Sequence, residues 1–229
     1  AVACDICHSI TGFEGDTPYN FNYIIKPGND KYSTRGSGVK SPNHNIIVNE
    51  LLKSGDFCGI CHNEKSPYGI WVKSTHLEWK EGPYAKEGVQ CQDCHMPKAQ
   101  SNTASMSKVY DDARQHLFHG AHDPGKVKGT IELRIHPDII EAEPGETVKF
   151  TIALFNQKTG HKFPTGSVED RIVWMHVEAT DSKGKKYHLK VDKKGFVGEE
   201  YTIASDILAY QDMGIAKNLP DFKGVQRDG

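Results

Sequence analysis

Six cysteines occur in the chain, and all six fall into one repeated five-residue pattern. Cys4-Asp5-Ile6-Cys7-His8 is the first copy, Cys58-Gly59-Ile60-Cys61-His62 the second and Cys91-Gln92-Asp93-Cys94-His95 the third. Two thiols at this spacing, with an imidazole directly after the second, form the attachment signature of a c-type haem. The thiols add across the two vinyl groups of the porphyrin, and the histidine reaches the iron from one side. A lone C-x-x-C also fits a zinc half-site or a redox-active dithiol. Zinc knuckles come in pairs, however, and three is odd. A disulfide framework would not place a histidine after the second cysteine each time. The pattern therefore predicts three covalently attached haem c groups, with thioethers at Cys4, Cys7, Cys58, Cys61, Cys91 and Cys94. His8, His62 and His95 are the expected proximal ligands.

Nine other histidines remain to fill the far faces of the irons. His44 stands just ahead of the second motif. His76 lies between the second and third, where only 29 residues separate Cys61 from Cys91. His116, His119 and His122 follow the third. These five are the distal candidates, against the alternative that each is a solvated or structural histidine. A surplus ligand in the last cluster could bind the haem of a neighbouring chain. His161, in the loop Asn156 to Gly166, is either a structural loop residue or a haem contact where two domains meet. His136, His176 and His188 alternate with apolar residues and are expected to face outward from strands. A thioether ligand raises a haem's potential, but Met96 follows the proximal His95 too closely to reach the far face. Met106 ranks below the histidines. Trp71, Trp79, Tyr68 and Tyr84 are expected to pack on porphyrin edges.

The elements that must hold these residues divide the chain near residue 126. Residues 1–125 are rich in Gly, Pro, Asn and Ser and read as a haem module of loops and short helices. Turn signals fill 12–43. Short helices are expected over His44 to Lys53, Ser74 to Trp79, Pro83 to Gly88 and Tyr110 to Phe118, the last stopped near Gly120. Residues 126–229 change character. Ile131, Leu133 and Ile135 alternate with polar residues, as do Val148, Phe150, Ile152 and Leu154. Further strands are expected over Ile172 to Val177 and Tyr187 to Val191, around an Asp181-Ser182-Lys183-Gly184 turn. This spacing predicts an antiparallel β-sandwich of immunoglobulin-like type. Ile203 to Leu219 reads as helical or irregular. Four clear strands make a thin sandwich, so its C-terminal closure is expected from the tail, from further chain or from a neighbour.

Composition agrees with a cofactor-filled protein. The apolar fraction is 37% over 229 residues, which is lean, and three haems would supply apolar surface to pack against. The formal charge of −2 gives no basic bias toward nucleic acid. No apolar run approaches the ~20 residues of a membrane-spanning helix. No signal peptide is visible, and the first motif begins three residues from the start, so a processed or trimmed end is expected.

With these residues in view, the chain resembles bacterial multihaem cytochromes c that join an N-terminal haem module to a C-terminal β-domain. The resemblance rests on Ser41-Pro42-x-His44 leading to Phe57-Cys58, and on Glu78-Trp79-x-x-Gly82-Pro83-Tyr84-Ala85 leading to Gly88-Val89-x-Cys91 and on to Met96-Pro97. His116-x-Phe118-x-Gly120-x-His122 and Gly160-His161-x-Phe163-Pro164-Thr165-Gly166 complete it. It implies electron transfer in the periplasm or at the cell surface during anaerobic respiration. Partners would be other redox proteins or extracellular electron acceptors. Some similar proteins polymerise into extracellular filaments with a continuous haem chain, so self-association into a filament, with a haem ligand donated between chains, is one expectation here. Others act on nitrogen compounds, so a reductase with one open iron is the alternative reading. Many relatives carry four or more haems, where this chain has three motifs.

Overall fold

A computed structural model describes residues 3–36, 39–104, 107–168, 171, 173–188 and 200–202. In chain order its elements are α1 (Cys4–Cys7), β1 (Ile10–Phe13), β2 (Tyr23–Ile25), β3 (Asp30–Ser33) and β4 (Asn45–Val48). A 3-10 turn (Glu50–Lys53) leads into α2 (Gly55–His62), β5 (Asn63–Lys65), β6 (Trp71–Ser74), α3 (Thr75–Glu81), α4 (Pro83–Lys86) and α5 (Cys91–His95). Then come β7 (Lys98–Asn102), β8 (Val109–Arg114), α6 (Pro124–Val127), β9 (Ile131–His136) and β10 (Thr151–Asn156). The last are β11 (Trp174–His176), β12 (Glu178–Thr180), β13 (Lys186–His188) and β14 (Glu200–Thr202).

All the helices fall well short of the ~12–15 residues at which an isolated helix becomes marginally stable. Local capping and tertiary packing hold them instead. Ser54 caps α2 by accepting a bond from Asp56 N–H at 3.1 Å. Gln90 and Asp93 form a reciprocal capping box at the start of α5. Pro83 opens α4, where a missing N–H costs nothing. Each attachment motif thus sits on a helical turn, which sets residues three and four apart on one face.

The helices expected over Ser74 to Trp79 and Pro83 to Gly88 are present. Two other expectations are corrected. His44 to Lys53 is a strand and a 3-10 turn, because Ile46, Ile47 and Val48 are β-branched and β4 pairs in parallel with β3, Asp30 opposite Asn45 through Ser33 opposite Val48. Tyr110 to Phe118 is not a helix either. Val109–Arg114 forms a strand against β7, with Ala99 opposite Ala113 and Asn102 opposite Val109. Residues 12–43, read as loop, carry the short β1–β2 and β3 pairings.

In the second half, β9 and β10 pair antiparallel with Ile135 opposite Ile152 and Leu133 opposite Leu154. β12 pairs with β13, and β11 with β14. The turn at Asp181 is made, with Gly184 N–H donating to Asp181 O at 2.9 Å. Among the described residues the strands join only in twos, and no closed sandwich forms. Leu133 and Ile135, expected to face a second sheet, are 57% and 55% exposed. The tail from Ile203 lies outside the described residues, as does Met106.

Tight packing concentrates between α2, β5 and α3. Ile60, Asn63 and His76 are almost wholly buried there, with Trp79 alongside. Gly59, inside the second motif, allows this closeness. A Cβ on it would fall 2.7 Å from His76 Cγ and 2.7 Å from Pro18 Cγ. Among the described residues no helix is long and apolar enough to cross a membrane.

Candidate haem centre

Each motif histidine must offer the iron a lone pair, and the partner of the other ring nitrogen decides which atom carries it. His8 Nδ1 lies 2.6 Å from Tyr32 O. A carbonyl only accepts, so Nδ1 holds the proton and Nε2 the lone pair. His95 repeats the arrangement, with Nδ1 donating to His119 O at 2.6 Å. A metal-bound histidine ordinarily donates its second N–H to such a partner, which fixes its tautomer and orientation.

Two further rings face these. His116 stands 6.3 Å from His8 between ring centroids, with 32° between planes. His161 stands 6.4 Å from His95, with 18° between planes. A first-row metal holds an imidazole nitrogen at ~2.0–2.1 Å with the centroid ~1.1 Å behind it, so two imidazoles on opposite sides of one metal sit roughly 6 Å apart. Both separations have that value. His161 Nδ1 donates to Lys162 O at 2.9 Å, leaving Nε2 with its lone pair.

Distant chain segments deliver these rings. Residues 115–119 run along the end of the third motif, with Gln115 N–H donating to Pro97 O and Phe118 N–H to His95 O. Phe118 adopts the left-handed region, at φ 50°. That conformation costs a bulky residue about 1–3 kcal/mol, and the bond to His95 O helps to hold it. The strap so formed turns His116 toward the first motif and the His119 carbonyl toward the third. His161 arrives on a loop anchored to α3, where Thr165 Oγ1 donates to Glu78 Oε2 at 2.7 Å and meets Thr75 Oγ1 at 2.8 Å.

The second motif differs. Among the described residues His62 makes no comparable ring pair. Surrounding protein and then the nearby cationic groups His95, His161 and Lys73 hold its pKa below 6.5, so the second and third motifs share a neighbourhood. His44 is half-buried and donates Nδ1–H to Asn45 O at 3.0 Å, which also leaves its Nε2 lone pair available. His119 places Nδ1 on the Asp123 carboxylate. His122 is exposed.

His76 is built the other way round. Asn63 Nδ2 donates to Pro18 O at 3.0 Å and lies 3.1 Å from His76 Nδ1. Asn63 Oδ1 accepts from Leu77 N–H at 3.3 Å, which fixes the amide. His76 Nδ1 is therefore an acceptor, and Nε2 donates to Asp56 Oδ1 at 2.8 Å. Neither nitrogen retains a free lone pair in this arrangement. Burial, opposed by Asp56, lowers its pKa. His136 is exposed, as expected of an outward strand residue. The side chains of His176 and His188 lie outside the described residues.

The cysteines crowd together. Cys58 meets Cys91, and this bond together with burial drives the Cys58 thiol upward while Cys91 is lowered. Asp93 is raised by partial burial but carried below its ordinary 3.8 by bonds from Arg114 and Gln90. Arg114 also donates to Gln92 O at 2.8 Å and Met96 O at 3.1 Å, tying β8 to the third motif. Sequence reasoning did not single out Arg114, Gln90 or Gln92. Position within or beside the motif was the only signal they carried.

Thiols and imidazoles on helical turns, with further imidazoles at axial separation, fit covalently bound haem. The fold is that of a multihaem c-type cytochrome. Residues 38–132 match the family model of the NapC/NirT cytochrome c family, N-terminal region. A penta-haem cytochrome c552 from Thermochromatium tepidum superposes with a TM-score of 0.56 at 19% identity, over 83% of this chain and 52% of that one. The chain thus spans about half the length of the solved cytochrome it matches. No curated protein matches the chain.

Proposed function

We propose that the chain is an electron-transfer protein with three haem c groups, attached at Cys4/Cys7, Cys58/Cys61 and Cys91/Cys94. The reading rests above all on the two facing imidazole pairs. His8 with His116 would grip the first iron, and His95 with His161 the third. Haem iron supplies one-electron cycling between the ferrous and ferric states. Two imidazoles saturate such an iron, which leaves no site for substrate and keeps the coordination change small. Tyr32 O, His119 O and Lys162 O hold the ligand rings in place, so little has to move when charge changes. The periplasm or the cell exterior is the proposed location, with redox proteins or extracellular acceptors as partners.

The second iron carries His62 and lacks a facing ring among the described residues. His44 and His119, both with Nδ1 engaged, are the candidates in this chain. A histidine of a neighbouring copy is the third, and would make the chain a filament subunit. The same observation favours one alternative, a reductase of a nitrogen compound acting at that iron.

Spin state separates these readings. Optical and EPR spectra of the oxidised holoprotein are expected to be wholly low-spin at every dilution if His44 or His119 closes the second site. A high-spin component that vanishes on concentration would assign the ligand to a neighbour. One that persists and shifts with nitrite or hydroxylamine would make the protein an enzyme.

A further inference from the structure

Gln92 occupies one of the two variable positions of the third motif, where a solvated side chain would serve as well. It is instead 5% exposed. Its amide donates to Leu52 O at 3.1 Å and Ser54 O at 2.8 Å, the two carbonyls just before α2. Its own Oε1 is buried without a hydrogen-bond partner among the described residues. A buried acceptor left unmatched is costly, so both donors are being used at the expense of the oxygen. Gln90, on the other side of Cys91, accepts from Gly55 N–H at 2.7 Å. The residues flanking Cys91 thus grip the start of α2 from both sides. Gly55 lies beneath, where a Cβ would stand 3.1 Å from Cys91 Sγ and 2.7 Å from Trp79 Cη2. Cys58 follows one helical turn after Gly55 and meets Cys91.

We infer that Gln92 is a positioning residue that clamps the third attachment motif onto the N-terminal turn of α2, so that the groups on Cys58 and Cys91 form one directly interacting pair. The inference rests on the three-haem reading above. Electrons then pass directly between the second and third sites. Each passage oxidises one ferrous iron and reduces one ferric iron, with no atom transferred.

The test uses the holoprotein, with intact mass as its first readout. Fewer than three haems per chain would overturn the functional reading itself. With three attached, Soret circular dichroism is expected to show a two-lobed exciton band. In a potentiometric titration, the midpoint of the His62 haem is expected to depend on the oxidation state of the His95 haem, identified by its shift in His95→Met. Absence of that dependence, or its presence between the first and third haems instead, would overturn the pairing. Gln92→Met keeps the length and removes both donors. It should retain three haems while the exciton band falls at least twofold and the mutual dependence weakens. Unchanged coupling in Gln92→Met would remove the clamp role. If that variant loses haem, Gly55→Ala reads the same coupling by pushing Cys91 outward, and there too an unchanged band would remove the clamp.

Discussion

A neutral imidazole has one lone pair, and a single carbonyl or amide beside it decides where that lone pair points. His8, His95, His161 and His44 each give Nδ1–H to a backbone carbonyl. His76 receives an amide proton there instead. In the sequence His8 and His95 are expected proximal ligands, His44 and His76 distal candidates, and His161 a loop residue or haem contact. Position beside a motif does not show the tautomer of His76 or His95, whose Nδ1 partners lie 13 and 24 residues away in the chain. Three predictions belong here. His161→Gly should convert one haem to high-spin, and added imidazole should restore the low-spin EPR signal. His116→Gly should do the same to a different haem, whose assignment follows from comparison with His8→Met. His76→Gln should leave all low-spin signals in place and lower thermal stability instead.

The attachment motifs are legible in sequence as C-x-x-C-H repeats, and the structure sets each on a helical turn. The short helices α3 and α4 are legible too, the second from the proline that opens it. The strand β8 is not, because Tyr110 to Arg114 has no strong period and takes its conformation from β7. Nor is the buried knot between α2, β5 and α3, where polar residues replace an apolar core. The Asn63 side chain makes three hydrogen bonds there, to Pro18, His76 and Leu77. Each buried group left unsatisfied costs about 1–3 kcal/mol. Asn63→Ala should therefore destabilise the holoprotein by a few kcal/mol, read by chemical denaturation with haem content unchanged. Trp79 is buried beside His76 at 5.3 Å between centroids and donates Nε1–H to Val89 O at 2.9 Å. Trp79→Ala should cost about 3–5 kcal/mol, the range for a large aromatic in a packed site.

Across the whole molecule, apolar burial is thin and the attached groups must complete it. Ile10, Ile60, Trp79, Ala113 and Val168, with Pro18 and Pro164, are the buried apolar side chains among the described residues. The expected sandwich is the least legible part. Alternation identified β9 and β10 correctly, but alternation cannot say what covers a face, and Leu133 and Ile135 stay exposed. Acid sensitivity is a property at this scale. His76 is held below its ordinary 6.5 by burial, against the pull of Asp56 and with Lys80 nearby. The unfolded chain therefore takes up the proton first. Stability should be full above about pH 6.5 and decline as pH falls below it. Denaturation midpoints at about pH 7.5 and about pH 5.5 should differ in the native chain, and His76→Gln should flatten the difference.

The loop that carries His161 has a consequence for the order of assembly. The third motif is complete at His95, while the ring facing it lies 66 residues further along. A chain delivered N-terminus first can receive its third haem long before that ring emerges. On the proposed ligation, the first iron closes once the strap at 115–119 folds, and the third waits with one face bare until the β-rich half has been made and docked on α3. A nascent or proteolytically clipped chain ending between His136 and His161 would keep all six thioethers and still present an exposed, reactive iron. On that ligation the second half of the molecule would act as the seal on the first.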